Sequence, residues 1–245
     1  QIVLAQEREQ ARQVAAGLKQ AGRTIALVPT SGALHAGHAA LVALAATKAD
    51  VVVVAVFANP LAFGPSENFA RYPRSPEADV KWCEERGVGI VFLPTVDEMY
   101  PRGYSTHVIE EAVSKPLCGI SRPSHFRGVT TGLAELLNVV RPDSIVLGQR
   151  DAQQVAVVRK MIADLCFGVE VHVAPVVREA DGLVVTVRNR ELTSGQRQEA
   201  AGLQAALLKA REMAAHGVRS PDRIIAEVTH LLGGRRRVRV IYVAM

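Results

Sequence analysis

An unbroken run of eight apolar residues, Val51–Ala58, restricts the fold more than any other feature of this sequence, and we assign Val51–Phe57 to a strand. A run of this length, five of whose members are valine, predicts a strand buried on both faces, as in the interior of a parallel sheet covered by helices. A second apolar strand is predicted over Thr24–Pro29, and the segment His38–Lys48 between them has helical composition. This strand–helix–strand order predicts right-handed crossovers in an open parallel α/β sheet.

The same alternation continues to about residue 175. We predict helices over Ile2–Gln20, Pro76–Arg86, Val129–Val140 and Ala152–Leu165, and strands over Val88–Leu93, Thr106–Ile109, Ser144–Leu147 and Val169–Ala174. After Pro175 we predict a long Ala-rich helix over Ser194–His216, a helix over Pro221–Leu232 and a strand over Val238–Val243. We therefore expect one domain over 1–175 and a smaller α+β domain over 176–245. That second domain is expected to be incomplete, because the chain stops just after an apolar strand.

Composition excludes several classes of protein. The net charge of +5 is small for 245 residues, so a phosphate-bearing small ligand accounts for it without nucleic acid. We interpret the one dense basic run, Arg235–Arg237, as a solvated turn. The three cysteines are far apart and form no C-x-x-C pair, which predicts free thiols, no metal site and a reducing, cytoplasmic location. No apolar run is long enough to span a bilayer, and no secretory signal is visible.

The segment Pro29–His38, of sequence P-T-S-G-A-L-H-A-G-H, follows the first buried strand and is the strongest candidate site. Ligands of open α/β sheets bind beyond the carboxyl ends of the strands. The following helix offers free N–H groups and a positive dipole end to phosphate. His35 and His38 are three residues apart, so both can reach one phosphate chain, and we expect them to act as protonated donors. The alternative is that the two histidines merely cap a helix.

Three further segments follow predicted strands or the domain boundary. Asn59 lies in F-A-N-P-L-A-F after the second strand, and Arg150, Asp151 and an amide lie in G-Q-R-D-A-Q-Q after Ser144–Leu147. Thr186 and Arg188 lie in V-T-V-R-N, just past the boundary. Each segment read alone is equally compatible with a turn, a solvated helix start or a surface strand.

Taken together, the order and spacing of these four segments resemble the pantothenate synthetase (pantoate–β-alanine ligase) family. Further matching pieces are Y-P-R at 72–74, R-P-S-H-F-R-G-V at 122–129, V-V-R-P-D at 139–143 and V-R-E-A-D-G-L at 177–183. The resemblance implies a Rossmann-like nucleotidyltransferase domain with an H-x-G-H motif, a C-terminal lid, a homodimer, and ATP with Mg²⁺. It also implies that a carboxylic acid and ATP give an acyl-adenylate and pyrophosphate, after which an amine such as β-alanine displaces AMP.

The resemblance also assigns roles to individual residues. It implies ATP contacts at Pro29, Thr30, Ser31, Gly32, His35, Gly37, His38, Gly148, Arg150, Asp151, Val177, Val185, Thr186, Val187 and Arg188. It implies contacts with the acid or amine at Phe57, Asn59, Ala62, Arg122, Gly132 and Gln154. Catalytic roles are implied for His38, as the proton donor, and for His35, Arg150 and Arg188.

Several positions depart from the family's usual motifs. Ser31, Arg150, Val185 and Val187 replace Met, Lys, Met and Ser. Ala58, Ala62, Gly132 and Ala152 replace Val, Gln, Val and Tyr, so all four lose side-chain volume. If these four line one cavity, that cavity is roomier and more apolar than a pantoate site. Our hypothesis from the sequence is therefore a ligase of the same mechanism with an altered, larger acid.

Three alternatives remain open at this stage. The first is an ordinary pantothenate synthetase with compensating substitutions elsewhere. The second is a nucleotidyltransferase that moves a nucleotide onto a phosphorylated acceptor and needs no amine. The third is a non-catalytic nucleotide-binding relative of the enzymes.

Overall fold

A computed structural model describes residues 2–64 and 69–245. The chain divides into two compact units, Gln1–Val176 and Val177–Met245. No helix within the described ranges is both long and apolar enough to cross a lipid bilayer.

The first unit contains a six-stranded sheet in which every pairing is parallel. The strands are β1 (Val3–Ala5), β2 (Ile25–Thr30), β3 (Val51–Val56), β4 (Ile90–Phe92), β5 (Ser144–Gly148) and β6 (Glu170–Ala174), in the spatial order β1-β4-β3-β2-β5-β6. The helices are α1 (Arg8–Gln20), α2 (Ala36–Ala46), α3 (Pro76–Glu84), α4 (Val96–Met99), α5 (Cys118–Ser121), α6 (His125–Val140) and α7 (Ala152–Asp164). This is the open α/β architecture predicted from the sequence.

The central strands β2 and β3 are apolar on both faces, and helices cover both faces of the sheet there. In β2, Ile25 and Leu27 pack into a core with α1, α6 and α7, whereas Ala26 and Val28 pack into a second core with α2 and α3. Each of these four residues is fully buried. Alternate residues of each apolar run therefore pack into different cores, one on each face of the sheet. This is why the runs predicted a parallel sheet correctly.

Two predicted elements of the first unit are wrong. The segment 2–20 is not one helix, because Val3–Ala5 pairs with Ile90–Phe92 as an edge strand. Thr106–Ile109 is not a strand: the Val108 N–H donates to Thr131 Oγ1 (3.0 Å), and the Val108 carbonyl accepts from Thr130 Oγ1 (2.7 Å). Side chains of α6 thus replace the backbone partners that a strand would need.

The second unit contains α8 (Ser194–Ala200), α9 (Gly202–Ala215) and α10 (Pro221–Gly233). The predicted single helix 194–216 is interrupted at Ala201. There the Arg235 guanidinium donates to the carbonyl of Glu199 at 3.2 Å and lies where a Cβ at Gly202 would be. Arg235 is therefore a partner of the end of α8, whereas Arg236 and Arg237 are exposed in a turn, as the sequence predicted.

The segment 238–243, predicted as a strand, has no strand pairing in the described structure. Its valines Val238, Val240 and Val243 pack instead against the core of α9 and α10 around Ala206 and Val228. Alternating apolar residues need a surface to bury against, and here two helices provide it without a hydrogen-bonded ladder.

Candidate active site

The order of the strands places a crevice between β2 and β5. The chain runs outward from β2 through β3 to β4 on one side, then returns to add β5 and β6 on the other. The pairing of β2 with β5 joins Ala26 to Ser144 and Leu27 to Ile145, whereas β2 continues to Thr30. Such a switch point, at the carboxyl ends of the strands, is where open α/β sheets bind their ligands. The loops after β2 and after β5 both lie at this end.

The loop from Ser31 to His35 is held by a carboxylate that sequence reasoning missed. Asp79, in the first turn of α3, accepts hydrogen bonds from the N–H groups of Ala33 (2.9 Å, Oδ2) and Leu34 (2.8 Å, Oδ1). Its exposed fraction is only 3%. A buried carboxylate with two backbone donors fixes the loop, because its removal would leave both N–H groups unsatisfied.

Gly32 is the residue that lets this loop turn. Its φ of +85° lies in the left-handed region, which favours glycine, and an added Cβ would come within 3.1 Å of Asp79 Oδ2 and 3.3 Å of Val56 Cγ1. The preceding Thr30 closes the start of the loop, since its Oγ1 donates to the Ala55 carbonyl at 2.9 Å. The glycine is therefore required both by the backbone angle and by the nearby carboxylate.

His35 and His38 form a reciprocal cap at the start of α2. The His35 Nδ1 accepts from the Gly37 N–H, and the His38 Nδ1 accepts from the His35 N–H, each at 3.1 Å. The two rings lie 4.0 Å apart between centroids. The alternative that the two histidines cap a helix is thus correct for their Nδ1 atoms, which both accept from backbone N–H groups. A neutral imidazole whose Nδ1 accepts carries its proton on Nε2, so capping orients each ring with Nε2–H as a donor.

The pKa of His38 is lowered from 6.5 to about 3. Removal of the ring from water is the largest cause, followed by the charges of His35 and Arg150. The expectation of protonated histidines is therefore wrong for His38 in the free chain, which is neutral at physiological pH. The effect of Arg150 also shows that the loop after β5 brings a guanidinium into electrostatic range of the H-x-G-H segment.

The loop after β5 carries the other predicted residues of the crevice. Gly148 ends the strand, and Arg150 and Asp151 lie in a 3-10 turn with their side chains about half exposed, Arg150 Nε being 3.5 Å from Asp151 Oδ2. Gln154 lies partly buried in α7. Its neighbour Gln153 has a structural role, because its side chain accepts from the Cys118 N–H and donates to the Val113 carbonyl, each at 3.0 Å.

Asn59, predicted to bind substrate, is engaged within the protein. Its Oδ1 accepts from the Leu61 N–H and from the Tyr100 hydroxyl, each at 3.0 Å, and its Nδ2 donates to the Gly128 carbonyl at 2.8 Å. Phe57 is buried and lies edge-to-face with Tyr100. These contacts join the end of β3 to α6. They leave the Asn59 amide one further N–H to offer a ligand.

The backbone around Ala62 is held by α6 and the loop before it. The Ala62 carbonyl lies 2.8 Å from His125 Nδ1 and 3.4 Å from Arg122 Nη2. Arg122, predicted to contact substrate, is therefore also a partner of this segment. The segment R-P-S-H-F-R-G-V thus also holds the backbone at Ala62, which its sequence alone does not show.

The structure does not support one enlarged cavity formed by the four small residues. An added Cβ at Gly132 would lie 2.5 Å from Asn59 Nδ2 and 3.0 Å from the Tyr100 hydroxyl, so the space there is already filled. Ala152 is exposed, whereas Ala58 and Ala62 are partly buried. At Gly132 the smaller residue therefore adds no room to a pocket, because a small residue leaves a void only when its neighbours fail to occupy the space. That the other three positions line one pocket stays a prediction.

We expect Gly132→Ala to lower the free energy of unfolding by about 1–3 kcal/mol, because overpacking a filled site forces the Asn59 amide to move. Urea unfolding followed by circular dichroism measures this change. Gly17→Ala is the matched control, because Gly17 is an exposed residue of α1 with nothing within 4 Å of the added Cβ. This variant should have a free energy of unfolding roughly 0.5–1 kcal/mol higher than the parent. An unchanged or higher free energy of unfolding for Gly132→Ala would instead show that there is a void beside Gly132.

The remaining predicted residues belong to the second unit and are described by themselves. Val177 and Val185 are neighbours in a hairpin, the Val185 N–H donating to the Val177 carbonyl at 3.0 Å. Thr186 precedes a 3-10 helix, Val187–Glu191, in which Arg188 is exposed.

Comparison with known proteins assigns the chain to a family. The family model of pantoate-β-alanine ligase matches residues 3–245. Pantothenate synthetase of Thermoanaerobacter sp. (strain X514) is 46% identical over 226 residues, which is 92% of this chain and 80% of that protein. Pantothenate synthetase of Acetivibrio thermocellus is 49% identical over 199 residues, 81% of this chain and 71% of that one.

The chain belongs to the pantoate–β-alanine ligase family.

Solved structures agree with this ligase assignment. The crystal structure of pantothenate synthetase from Thermus thermophilus matches with a TM-score of 0.91 and 39% identity, covering 98% of this chain and 86% of that one. Pantoate-β-alanine ligase from Francisella tularensis, complexed with β,γ-ATP and β-alanine, matches with a TM-score of 0.82 and 28% identity, covering 94% and 86%. The predicted family, Rossmann-like fold and AMP-forming ligase class are confirmed.

Among the residues that the structure describes, no group of three His, Cys, Asp or Glu side chains is arranged to hold a metal ion in this ligase. Mg²⁺ in nucleotide sites is usually held by one or two carboxylates together with the substrate's phosphates. The Asp151 carboxylate, half exposed on the loop after β5, fits that requirement.

Proposed function

We propose that the chain is a pantothenate synthetase that joins pantoate to β-alanine with consumption of ATP. The observation that carries the proposal is the pair of capped histidines at the switch point, with a guanidinium from the loop after β5 in electrostatic range, in a chain of this family. The altered-acid hypothesis is not adopted, because the relatives that the chain matches are pantothenate synthetases and Asn59 already fills the space beside Gly132.

In the first step, a carboxylate oxygen of pantoate attacks the α-phosphorus of ATP, and the bond to the bridging oxygen of the β-phosphate breaks. Pyrophosphate leaves with that oxygen and its electron pair. We assign the Nε2–H groups of His35 and His38 to hydrogen bonds that stabilise the negative charge developing on the phosphates. Arg150 would neutralise charge on the phosphates, a role that the family resemblance also implies for Arg188. Mg²⁺, held by Asp151 and the phosphates, would supply further charge neutralisation.

In the second step, the free amine of β-alanine attacks the acyl carbon, AMP leaves, and the nitrogen loses a proton as the amide forms. We assign Gln154 and the remaining N–H of Asn59 to orienting the acid and the amine. Alignment of the reactants then supplies much of the acceleration, because neither step needs a covalent intermediate with the protein. On the family resemblance alone, we include a C-terminal lid and a cytoplasmic homodimer in the proposal.

The test is pyrophosphate release with Mg-ATP and pantoate, with and without β-alanine, beside a panel of larger carboxylic acids. We expect turnover on pantoate, with pantothenate and AMP formed only when β-alanine is present. Pyrophosphate release with another acid but none with pantoate would overturn the substrate assignment. A dinucleotide-like product formed without amine would indicate a nucleotidyltransferase, and no pyrophosphate with any acid would indicate a non-catalytic relative.

A further inference from the structure

A short hairpin in the second unit leads directly into the segment assigned to the ATP phosphates. Its strands meet through an antiparallel bridge between Arg178 and Val184 and through the Glu179 N–H, which donates to the Leu183 carbonyl at 2.8 Å. The Asp181 carboxylate accepts from the Leu183 N–H at 3.2 Å and so closes the tip. The hairpin ends at Val185, immediately before Thr186 and Arg188.

Asn189 ties this hairpin to the 3-10 helix that carries Arg188. Its Nδ2 donates to Glu179 Oε1 and to the Val184 carbonyl, both at 2.8 Å. Both amide hydrogens are therefore used, and they reach the two strands of the hairpin. Because Asn189 directly follows Arg188, these bonds fix the backbone from which the exposed Arg188 side chain extends.

Arg197 of α8 completes the network from a third element. Its Nη2 donates to Glu179 Oε2 at 2.5 Å and its Nε to Asp181 Oδ2 at 2.6 Å. The pKa of Glu179 is lowered by the hydrogen bond from Asn189 and by that from Arg197. For Asp181, removal from water acts in the opposite direction, but the bonds from Arg197 and Leu183 outweigh it and its pKa is also lowered. Both carboxylates are thus ionised and held by one guanidinium.

We propose that Asn189 and Arg197 are positioning residues for the phosphate-binding segment 185–188, acting through Glu179. This inference rests on the proposed function, since it takes that segment to bind ATP. Three elements converge on a single carboxylate, and no step needs Asn189 or Arg197 to touch the nucleotide. Holding the segment before ATP arrives lowers the entropy lost on binding, which is the general benefit of preorganisation.

The experiment measures the dissociation constant of ATP by titration calorimetry in the full chain, together with the KM for ATP and kcat for pyrophosphate release. We expect Asn189→Ala and Arg197→Ala to weaken ATP binding about tenfold, roughly the effect of one well-made hydrogen bond. Arg197→Lys should fall between parent and Ala variant, since an ammonium keeps the charge but cannot bridge both carboxylates. Lys209→Ala, which removes the exposed Lys209–Glu212 pair of the same unit, should bind as the parent does.

Unchanged ATP binding in Asn189→Ala and Arg197→Ala would overturn the proposal. A lower melting temperature of these variants, with an unchanged ATP affinity at temperatures where they are still folded, would also overturn it. That result is expected of a network with a purely structural role. If an Ala variant fails to fold, Glu179→Gln keeps the volume and an acceptor for Asn189, and it should still weaken ATP binding. A parent that binds ATP but releases no pyrophosphate with pantoate would count against the proposed function, while the variants' ATP affinities would still test the positioning role.

Discussion

His38→Ala is expected to lower the rate of pyrophosphate release by about 10²–10³-fold, the usual effect of removing one preorganised donor to developing negative charge. In the free chain His38 is neutral, its Nδ1 accepts from the His35 N–H, and its Nε2–H is the remaining donor. The substitution removes that donor and also half of the reciprocal cap. Single-turnover measurement of pyrophosphate release with saturating Mg-ATP and pantoate isolates the adenylation step.

The fold should survive, because losing one cap costs about 1 kcal/mol. The melting temperature should therefore fall only slightly. His216→Ala is the matched control: it removes an exposed histidine of the second unit whose Nδ1 lies 2.8 Å from the Glu212 carbonyl, and it should release pyrophosphate as the parent does. Near-normal release by a folded His38→Ala variant would refute the role assigned to His38.

Asp79→Asn should impair both stability and activity, although Asp79 is proposed to touch no substrate. Its two oxygens accept from the Ala33 and Leu34 N–H groups, whereas an asparagine offers one oxygen and turns an NH₂ toward the other donor. One buried N–H then loses its partner, at a cost of about 1–3 kcal/mol. The loop that precedes His35 would shift, and a displacement of about 1 Å can lower a rate about 10²-fold.

Urea unfolding and steady-state pyrophosphate release measure the two effects of Asp79→Asn. Glu77→Gln is the matched control, since Glu77 lies in the same first turn of α3 and is exposed. It changes the same charge on the same helix without touching the loop. If Asp79→Asn and Glu77→Gln were alike in stability and rate, the loop would not depend on the buried carboxylate.

The sequence alone determined the sheet, because residues of β2 and β3 must be apolar on both faces when helices cover both sides. It also placed the H-x-G-H segment at the carboxyl edge of the sheet, since it follows β2 and the carboxyl ends of parallel strands meet at one edge. The H-x-G-H segment and its order relative to Asn59, Arg150 and Arg188 were enough to identify the family. These are properties of local pattern and chain order, which a sequence states directly.

Only the tertiary structure showed how the site is held. Asp79 lies 45 residues from Leu34 along the chain, and its local sequence is that of an ordinary acidic first turn of a helix. The protonation of His38 depends on its burial and on Arg150, which comes from another strand's loop. Gly132 suggested lost volume until Asn59 was found to fill the space. The partner of the loop, the protonation state of His38 and the space beside Gly132 depend on contacts between distant segments and on burial. A short stretch of sequence specifies neither of these.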